Sequence, residues 1–135
     1  DPKKCPKLSW VPRKPEPLGV ENKATGDAIS GIMLYTEICE GDPAHKSHPY
    51  YSEYGHTTAT TLRITEPWWG SKRVVFGDSW FAGVKTAEAM LTKGLHFIGD
   101  VKTNTSRFCS KPLEAATGQQ SGDWAVYTSS LKVHD

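Results

Sequence analysis

The chain has 135 residues, enough for one domain with a buried core, and its mean hydropathy of −0.51 is that of a polar, soluble protein. The longest apolar stretch, residues 29–39, is too short and too interrupted to cross a bilayer. A net charge of +1 neither favours nor excludes nucleic acid as a partner, because a near-neutral chain can still have a basic face.

The three cysteines, Cys5, Cys39 and Cys109, are widely spaced and form no C-x-x-C pair. This pattern argues against a disulfide framework and favours a reducing compartment. We expect no signal peptide before the domain. We therefore expect an intracellular protein of the nucleus or cytoplasm, which is not secreted.

Residues 1–19 combine five prolines with a cluster of basic residues around a tryptophan. Prolines at this density exclude a helix and predict an extended arm or a sheet edge. The arm is either a solvated leader or a phosphate-contacting segment, and the sequence leaves both open. The residues that would contact nucleic acid are Lys3, Lys4, Lys7, Trp10, Arg13 and Lys14.

The next part of the chain predicts an antiparallel hairpin, with a strand beginning at residues 20–23, a turn at 24–27 and a second strand at 29–39. Residues 40–55 are polar and rich in turn-forming residues, which predicts a surface loop. Zinc-ligand residue types occur in and beside it, but their spacing matches no zinc finger. We favour a loop of solvated histidines over a metal site for Cys39, His45, His48 and His56.

A helix is predicted to begin at Thr57 and to end before Pro67, although its threonines weaken helix propensity. Trp68 and Trp69 precede Gly70, where the chain is expected to turn. Paired tryptophans can stack on bases, but beside a turn they more often pack against the core.

The central pattern is a strand, a helix and a strand. Residues 74–76 form an apolar run that predicts a buried strand, residues 81–93 show helical spacing, and residues 95–102 predict a second strand. This order favours a right-handed parallel crossover. Residues 104–122 are predicted to be a loop with at most one helical turn, and residues 124–131 a final strand.

Asp78 directly follows the first central strand, at the carboxyl end where open α/β sheets bind ligands. The alternative is that Asp78 or Ser79 only caps the following helix. Asp100, on the second central strand, is the alternative to Asp78 as the ligand-binding acid. Other carboxylates that could converge with Asp78 to hold Mg²⁺ are not evident from the pattern.

Motifs for other chemistries are missing from the sequence. Neither GxxxxGK[ST] nor GxGxxG occurs, which excludes the common phosphate-binding loops. The segment around Ser79 lacks the second glycine of a serine-hydrolase nucleophile elbow.

Several segments in order resemble the catalytic domain of piggyBac-type transposases and of proteins derived from them. The motifs that carry this resemblance are Lys14-Pro15 with Gly19, Asp78-x-Trp80-Phe81, and Val101 followed by Thr103-Asn104. The resemblance extends over most of the chain and includes the stretches at 12–19, 75–81, 98–104 and 124–129.

The resemblance implies a ribonuclease H-like α/β fold, a mixed sheet flanked by helices, which would be incomplete here. The chain would then be divided into a basic proline-rich arm at residues 1–19 and a partial transposase core at residues 20–135. Such DDE-type enzymes use three aspartates and two Mg²⁺ ions for cut-and-paste DNA strand transfer, and the full-length proteins could dimerise. Asp78 matches the second acid and would bind Mg²⁺, while Asp1 would be the first acid only if several residues were missing between it and the Lys-Pro motif.

The resemblance also has departures. The family's first acid lies well upstream of the Lys-Pro motif, and its third follows a Gly-Gly-x-Asp segment that does not occur before Asp135. We therefore expect a transposase remnant that is inactive by itself. Two alternatives remain, a captured DNA- or protein-binding module without catalysis, and a small α/β domain unrelated to DNA in which Asp78 only caps a helix.

Overall fold

The computed structural model describes residues 7–117 and 120–128. In these residues the chain is a mixed α/β structure with three separate two-stranded sheets. The strands are β1 (Ser9–Trp10), β2 (Leu18–Gly19), β3 (Asn22–Gly26), β4 (Met33–Ile38), β5 (Val74–Gly77) and β6 (His96–Gly99). The helices are α1 (Asp42–Ser47), α2 (Tyr51–Tyr54), α3 (His56–Thr65), α4 (Val84–Thr92) and α5 (Ser110–Ala116), with a short 3₁₀ helix at Glu66–Trp68.

The predicted antiparallel hairpin is present as β3 and β4, but its turn lies further along the chain than expected. Residues 24–26 belong to β3, and the reversal occurs at residues 27–32. Asp27 organises it, since its Oδ2 accepts hydrogen bonds from the Ser30 hydroxyl and the Ser30 N–H, both at 2.7 Å. Aspartate is suited to such a turn because its side chain can replace a backbone acceptor.

Replacing Ser30 with alanine is expected to raise the pKa of Asp27. The Ser30 hydroxyl and then its N–H hold that pKa below the ordinary value of 3.8 in the native turn. A carboxyl whose pKa is lowered in the native state stabilises the fold at pH values above its ordinary pKa. This contribution disappears as the pH falls through the native pKa. Carboxyl ¹³C NMR titration of the protein and of S30A measures the change, and an unchanged Asp27 midpoint would contradict it.

The prediction of a solvated histidine loop at residues 40–55 is wrong. Helices α1 and α2 occupy much of this segment, and Pro43 lies in the first turn of α1, where its missing N–H costs nothing. His45 is only 1% exposed. The segment is therefore a packed part of the fold.

Helix α3 is at the centre of the core, and it lies where the sequence predicted a helix. Every residue from Thr58 to Thr65 is buried. Leu62 forms the main apolar cluster with residues of α4 and the chain that follows it, namely Ala89, Met90 and Leu95. Trp68 and Trp69 pack against this cluster, which agrees with the packing alternative for the two tryptophans.

The predicted parallel crossover is confirmed, with β5 leading through α4 to β6. Paired residues run in register from Val74 opposite His96 to Gly77 opposite Gly99. The strand of residues 95–102 is shorter than predicted. At the start of both strands the turns containing Gly70 and Gly94 touch, because a Cβ added to Gly94 would lie 2.9 Å from the Gly70 Cα.

Strand β5 is not the buried strand that its composition predicted. Val74 is 46% exposed and Phe76 is 68% exposed, as only one face of the strand packs against the core. Ile98 on β6 is also exposed. One apolar face of the parallel pair therefore lies at the surface of the described structure.

Two predictions for the last part of the chain are also wrong. Residues 104–122 contain a longer helix than the single predicted turn, since α5 covers Ser110–Ala116. Residues 124–128 are not in a strand, and the rest of the predicted strand at 124–131 falls outside the described residues. Among the helices that the structure describes, none has the length and apolar character needed to span a membrane.

Candidate active site

Asp78 lies immediately after β5, at the carboxyl end of the parallel pair, and is exposed to solvent. Asp100 lies at the equivalent position after β6 and is also exposed. The Asp100 N–H donates a hydrogen bond to the Gly77 carbonyl at 3.3 Å, so the two strand ends remain adjacent where the acids emerge. The fold thus brings both acids considered from the sequence to one edge.

The residues around Asp78 form a tight turn that is separate from the start of α4. Asp78 Oδ1 accepts a hydrogen bond from the Trp80 N–H at 2.8 Å. Its carbonyl accepts from the N–H groups of Phe81 and Ala82, both at 3.0 Å. The residue at the N-terminal cap of α4 is Gly83, and no side chain caps that helix. The helix-capping alternative for Asp78 and Ser79 is therefore not what this structure contains.

Trp80 anchors this turn to the hairpin. The Lys23 ammonium lies 3.5 Å from the centre of the Trp80 ring, a cation–π contact, and Lys23 is almost fully buried. Another neighbour is His56, whose ring meets Trp80 edge-on with centroids 5.7 Å apart. Lys23 also donates to Glu21 at 2.5 Å, and this hydrogen bond lowers the pKa of that carboxyl. The turn that carries Asp78 is thereby held, through Trp80, by contacts from β3 and α3.

The Asp78 carboxylate is suited to serve as one oxygen ligand of a Mg²⁺ ion. It is exposed, oriented by a backbone N–H, and of the hard oxygen type that this ion prefers. The described residues contain no group of three potential ligands around Asp78. Glu37, His45 and His48 form such a group, at the end of β4 and around α1.

The basic arm has more structure than an extended segment. β1 and β2 pair antiparallel, and the Val11 N–H donates to the Pro17 carbonyl at 2.8 Å, so the chain folds back on itself. Trp10 is 65% exposed, and Lys7, Arg13 and Lys14 are also exposed. Asp1, Lys3 and Lys4 lie outside the described residues.

Sequence reasoning missed two features near these sites. Lys23 supports Trp80, although a lone lysine in a strand has no pattern that would reveal a contact with a distant tryptophan. The grouping of Glu37 with His45 and His48 was also missed, because the metal alternative weighed from the sequence combined these two histidines with Cys39 and His56, not with Glu37. The available signal was the carboxylate of Glu37 near the end of a predicted strand, shortly before a segment that contains several histidines.

Comparison with known families identifies the class of protein to which this fold belongs, a transposase-type domain. The model of the family described as Transposase IS4 matches residues 2–131, and the chain belongs to that family. Its fold is similar to that of piggyBac transposase, in a cryo-EM structure of the synaptic complex with hairpin DNA. The expected resemblance to piggyBac-type transposases is thus confirmed.

The structural match has a TM-score of 0.64 at 21% sequence identity, so it is a likeness of fold. It covers 78% of this chain and 21% of that transposase, and the chain therefore corresponds to a small part of the larger protein. Comparison with curated proteins gave no match.

Proposed function

We propose that this chain is part of the catalytic core of a DDE-type DNA transposase, with Asp78 as one of its metal-binding acids. The supporting observation is the position of Asp78 at the end of β5, in a turn held by the Trp80 N–H. Two Mg²⁺ ions in such a core activate the attacking oxygen and stabilise the leaving oxygen of DNA strand transfer. Asp78 would contribute one carboxylate, oriented without any rearrangement of its turn.

A ribonuclease H-like sheet is the architecture that we infer for the complete core. β3 and β5 each pair on one side only, with β4 and β6 respectively. Residues of both strands line a common groove of about 510 Å³, whose wall also includes Ile64 and Thr65 of α3. One further strand in this groove would pair with both open edges and join the hairpin and the parallel pair into a mixed sheet. The resemblance implies that the family's first acid lies on the first strand of the sheet, and we propose that this is the strand that would occupy the groove.

The Asp78 proposal is tested by NMR with Mn²⁺ as a paramagnetic probe for the Mg²⁺ site. We expect Mn²⁺ to broaden the amide signals of residues 78–80 in the wild type, and excess Mg²⁺ to restore them. D78N should abolish the broadening at this edge. The matched variant D100N shows whether the neighbouring acid shares the ion. Equal broadening in D78N and the wild type would refute the proposal.

We further propose that the chain by itself does not cleave or join DNA. Support comes from the described residues, in which Asp78 belongs to no group of three ligands, and removal of a single electrostatic interaction already costs on the order of 10²–10³ in rate. Incubation with supercoiled plasmid and Mg²⁺ is expected to leave the plasmid intact. Nicking that disappears in D78N would show that the chain is active alone.

A second candidate function is DNA binding without catalysis, and the exposed Trp10 on a basic hairpin favours it. We propose a division into an arm at residues 1–19 and a core at 20–135. Lys7, Arg13 and Lys14 would contact phosphates, and Trp10 would stack on a base or sugar. Lys3 and Lys4 would extend the same basic segment.

Arm variants provide the test of this second function. Fluorescence anisotropy with duplex DNA over a salt series should give a linear fall of log affinity with log salt. The double variant R13Q/K14Q is expected to reduce the slope by about 0.9 for each phosphate that the arm no longer neutralises. K72Q/K111Q removes the same charge from exposed positions outside the arm and should leave the slope unchanged. Equal slopes for both variants would exclude a specific role for the arm.

A further inference from the structure

Three potential metal ligands converge at the junction of β4 and α1. Glu37 is on β4, His45 is in α1, and His48 directly follows that helix. One ligand atom from each lies within 4.8 Å of those of the other two. The ligands therefore come from neighbouring elements that the fold already holds together.

His45 is the unusual member of this group. It is 1% exposed, and neither Nδ1 nor Nε2 has a hydrogen-bond partner among the described residues. A buried polar group without a partner costs about 1–3 kcal/mol, so buried imidazoles normally bond to something. A metal ion on one nitrogen would compensate this cost, because a neutral imidazole nitrogen is a good ligand for transition metals.

Glu37 is held in place by Arg63 of α3. The Arg63 Nε donates to Glu37 Oε2 at 2.7 Å, and Nη2 donates to Oε1 at 2.6 Å. Each carboxylate oxygen has more than one lone-pair position, so this bidentate contact leaves the carboxylate able to bind an ion. Arg63 thus acts as a positioning residue for the ligand.

His48 has a carboxylate on each side of its ring. Its Nδ1 lies 3.9 Å from Glu37 Oε1, and its Nε2 lies 3.6 Å from Glu40 Oε2. Histidines that bind metals usually donate their other N–H to a carboxylate or carbonyl, which orients the ring. Glu40 is placed to take that role while Nδ1 faces the cluster.

We propose that Glu37, His45 and His48 form a binding site for Zn²⁺ or a similar divalent transition metal, separate from the site at Asp78. Two imidazoles and one carboxylate suit Zn²⁺, whereas Mg²⁺ prefers oxygen ligands alone. Tetrahedral zinc bonds of about 2.0–2.2 Å place ligand atoms roughly 3.3–3.6 Å apart. The three ligand atoms, which lie within 4.8 Å of one another here, therefore move closer together when the ion binds. The fourth position is open to water.

Zinc at this position joins the end of β4 to α1 and fixes the course of residues 37–48. Because the folded chain presents all three ligands together and the unfolded chain does not, binding stabilises the fold. The site depends only on local packing. It does not require the transposase function proposed above.

The test uses the 135-residue chain without a polyhistidine tag, after treatment with a chelator. Calorimetry with zinc sulfate should show one ion per chain, and Co²⁺ should develop the visible absorption of a four-coordinate site. H45F and H48Q are each expected to weaken Zn²⁺ binding by at least about tenfold. H96Q, which removes an exposed histidine of β6, is the matched control and should bind as the wild type does.

Circular dichroism establishes which variants are folded, and H48Q decides the test if H45F does not fold, because His48 is only partly buried. Zinc affinity in H48Q equal to that of the wild type and H96Q overturns the site. Displacement of Zn²⁺ by a modest excess of Mg²⁺ also overturns it. Loss of Zn²⁺ binding in H48Q, together with unchanged Zn²⁺ binding in D78N, would support a site independent of the transposase acids.

Discussion

Replacement of Leu62 with alanine is expected to lower the free energy of unfolding by about 2–5 kcal/mol. Leu62 is completely buried in α3, where it contacts the cluster formed with Ala89, Met90 and Leu95. The truncation removes apolar packing and leaves a cavity that the surrounding helix and strands fill only in part. Since small domains are typically stable by about 5–15 kcal/mol, the variant would lose a large share of its stability.

Urea unfolding followed by far-ultraviolet circular dichroism measures this loss. L91A is the matched control, because Leu91 of α4 is 47% exposed and undergoes the same chemical change. Its loss should stay below about 1 kcal/mol, since nearly half of the leucine already touches water and alanine favours the helix. Similar losses in L62A and L91A would contradict a core centred on α3.

Replacement of Arg63 with methionine is expected to cost about 2–4 kcal/mol, the second large effect. Arg63 is 8% exposed, and the change leaves the mostly buried carboxylate of Glu37 without its bidentate partner. Burial alone would raise the pKa of Glu37, but the hydrogen bonds and charge of Arg63 outweigh it and lower that pKa. The Pro49 carbonyl also loses the hydrogen bond from Arg63 Nη1 at 2.8 Å.

The double variant R63M/E37M separates the effect of the stranded charge from that of poorer packing. Buried ion pairs can often be replaced by apolar residues at little cost, so the double variant should be more stable than R63M alone by at least about 1 kcal/mol. Both measurements are made by urea unfolding in the presence of a chelator, which removes any contribution of bound metal. A double variant less stable than R63M would show that the carboxylate is not the source of the loss.

Local sequence patterns predicted the hairpin, α3 and the parallel crossover. In each of these the signal lies within a short window, such as the apolar run at 74–76 and the helical spacing that ends near Gly94. The position of Asp78 followed from the same pattern. These elements could therefore be predicted, because residues close together in the sequence favour them.

The failed predictions concern features that depend on distant residues. His45 of α1 is buried beside His56 of α3 and Glu37 of β4, contacts with distant residues that a polar local composition cannot reveal. Val74 and Phe76 look like core residues, but burial on a second face requires a layer that the described residues do not supply. The tryptophan of the Asp78 turn is supported by Lys23, a contact between segments far apart in sequence.

The contact between Gly70 and Gly94 restricts how related sequences can vary. Gly94 has φ of +72°, and any Cβ there would collide with backbone, so glycine is required on steric grounds whatever the protein does. An aligned set of relatives should therefore retain glycine at 94 even in lineages that have lost transposition. Asp78 is an exposed residue whose proposed role is chemical, so under the function proposed above those same lineages should lose the aspartate while they keep the glycine.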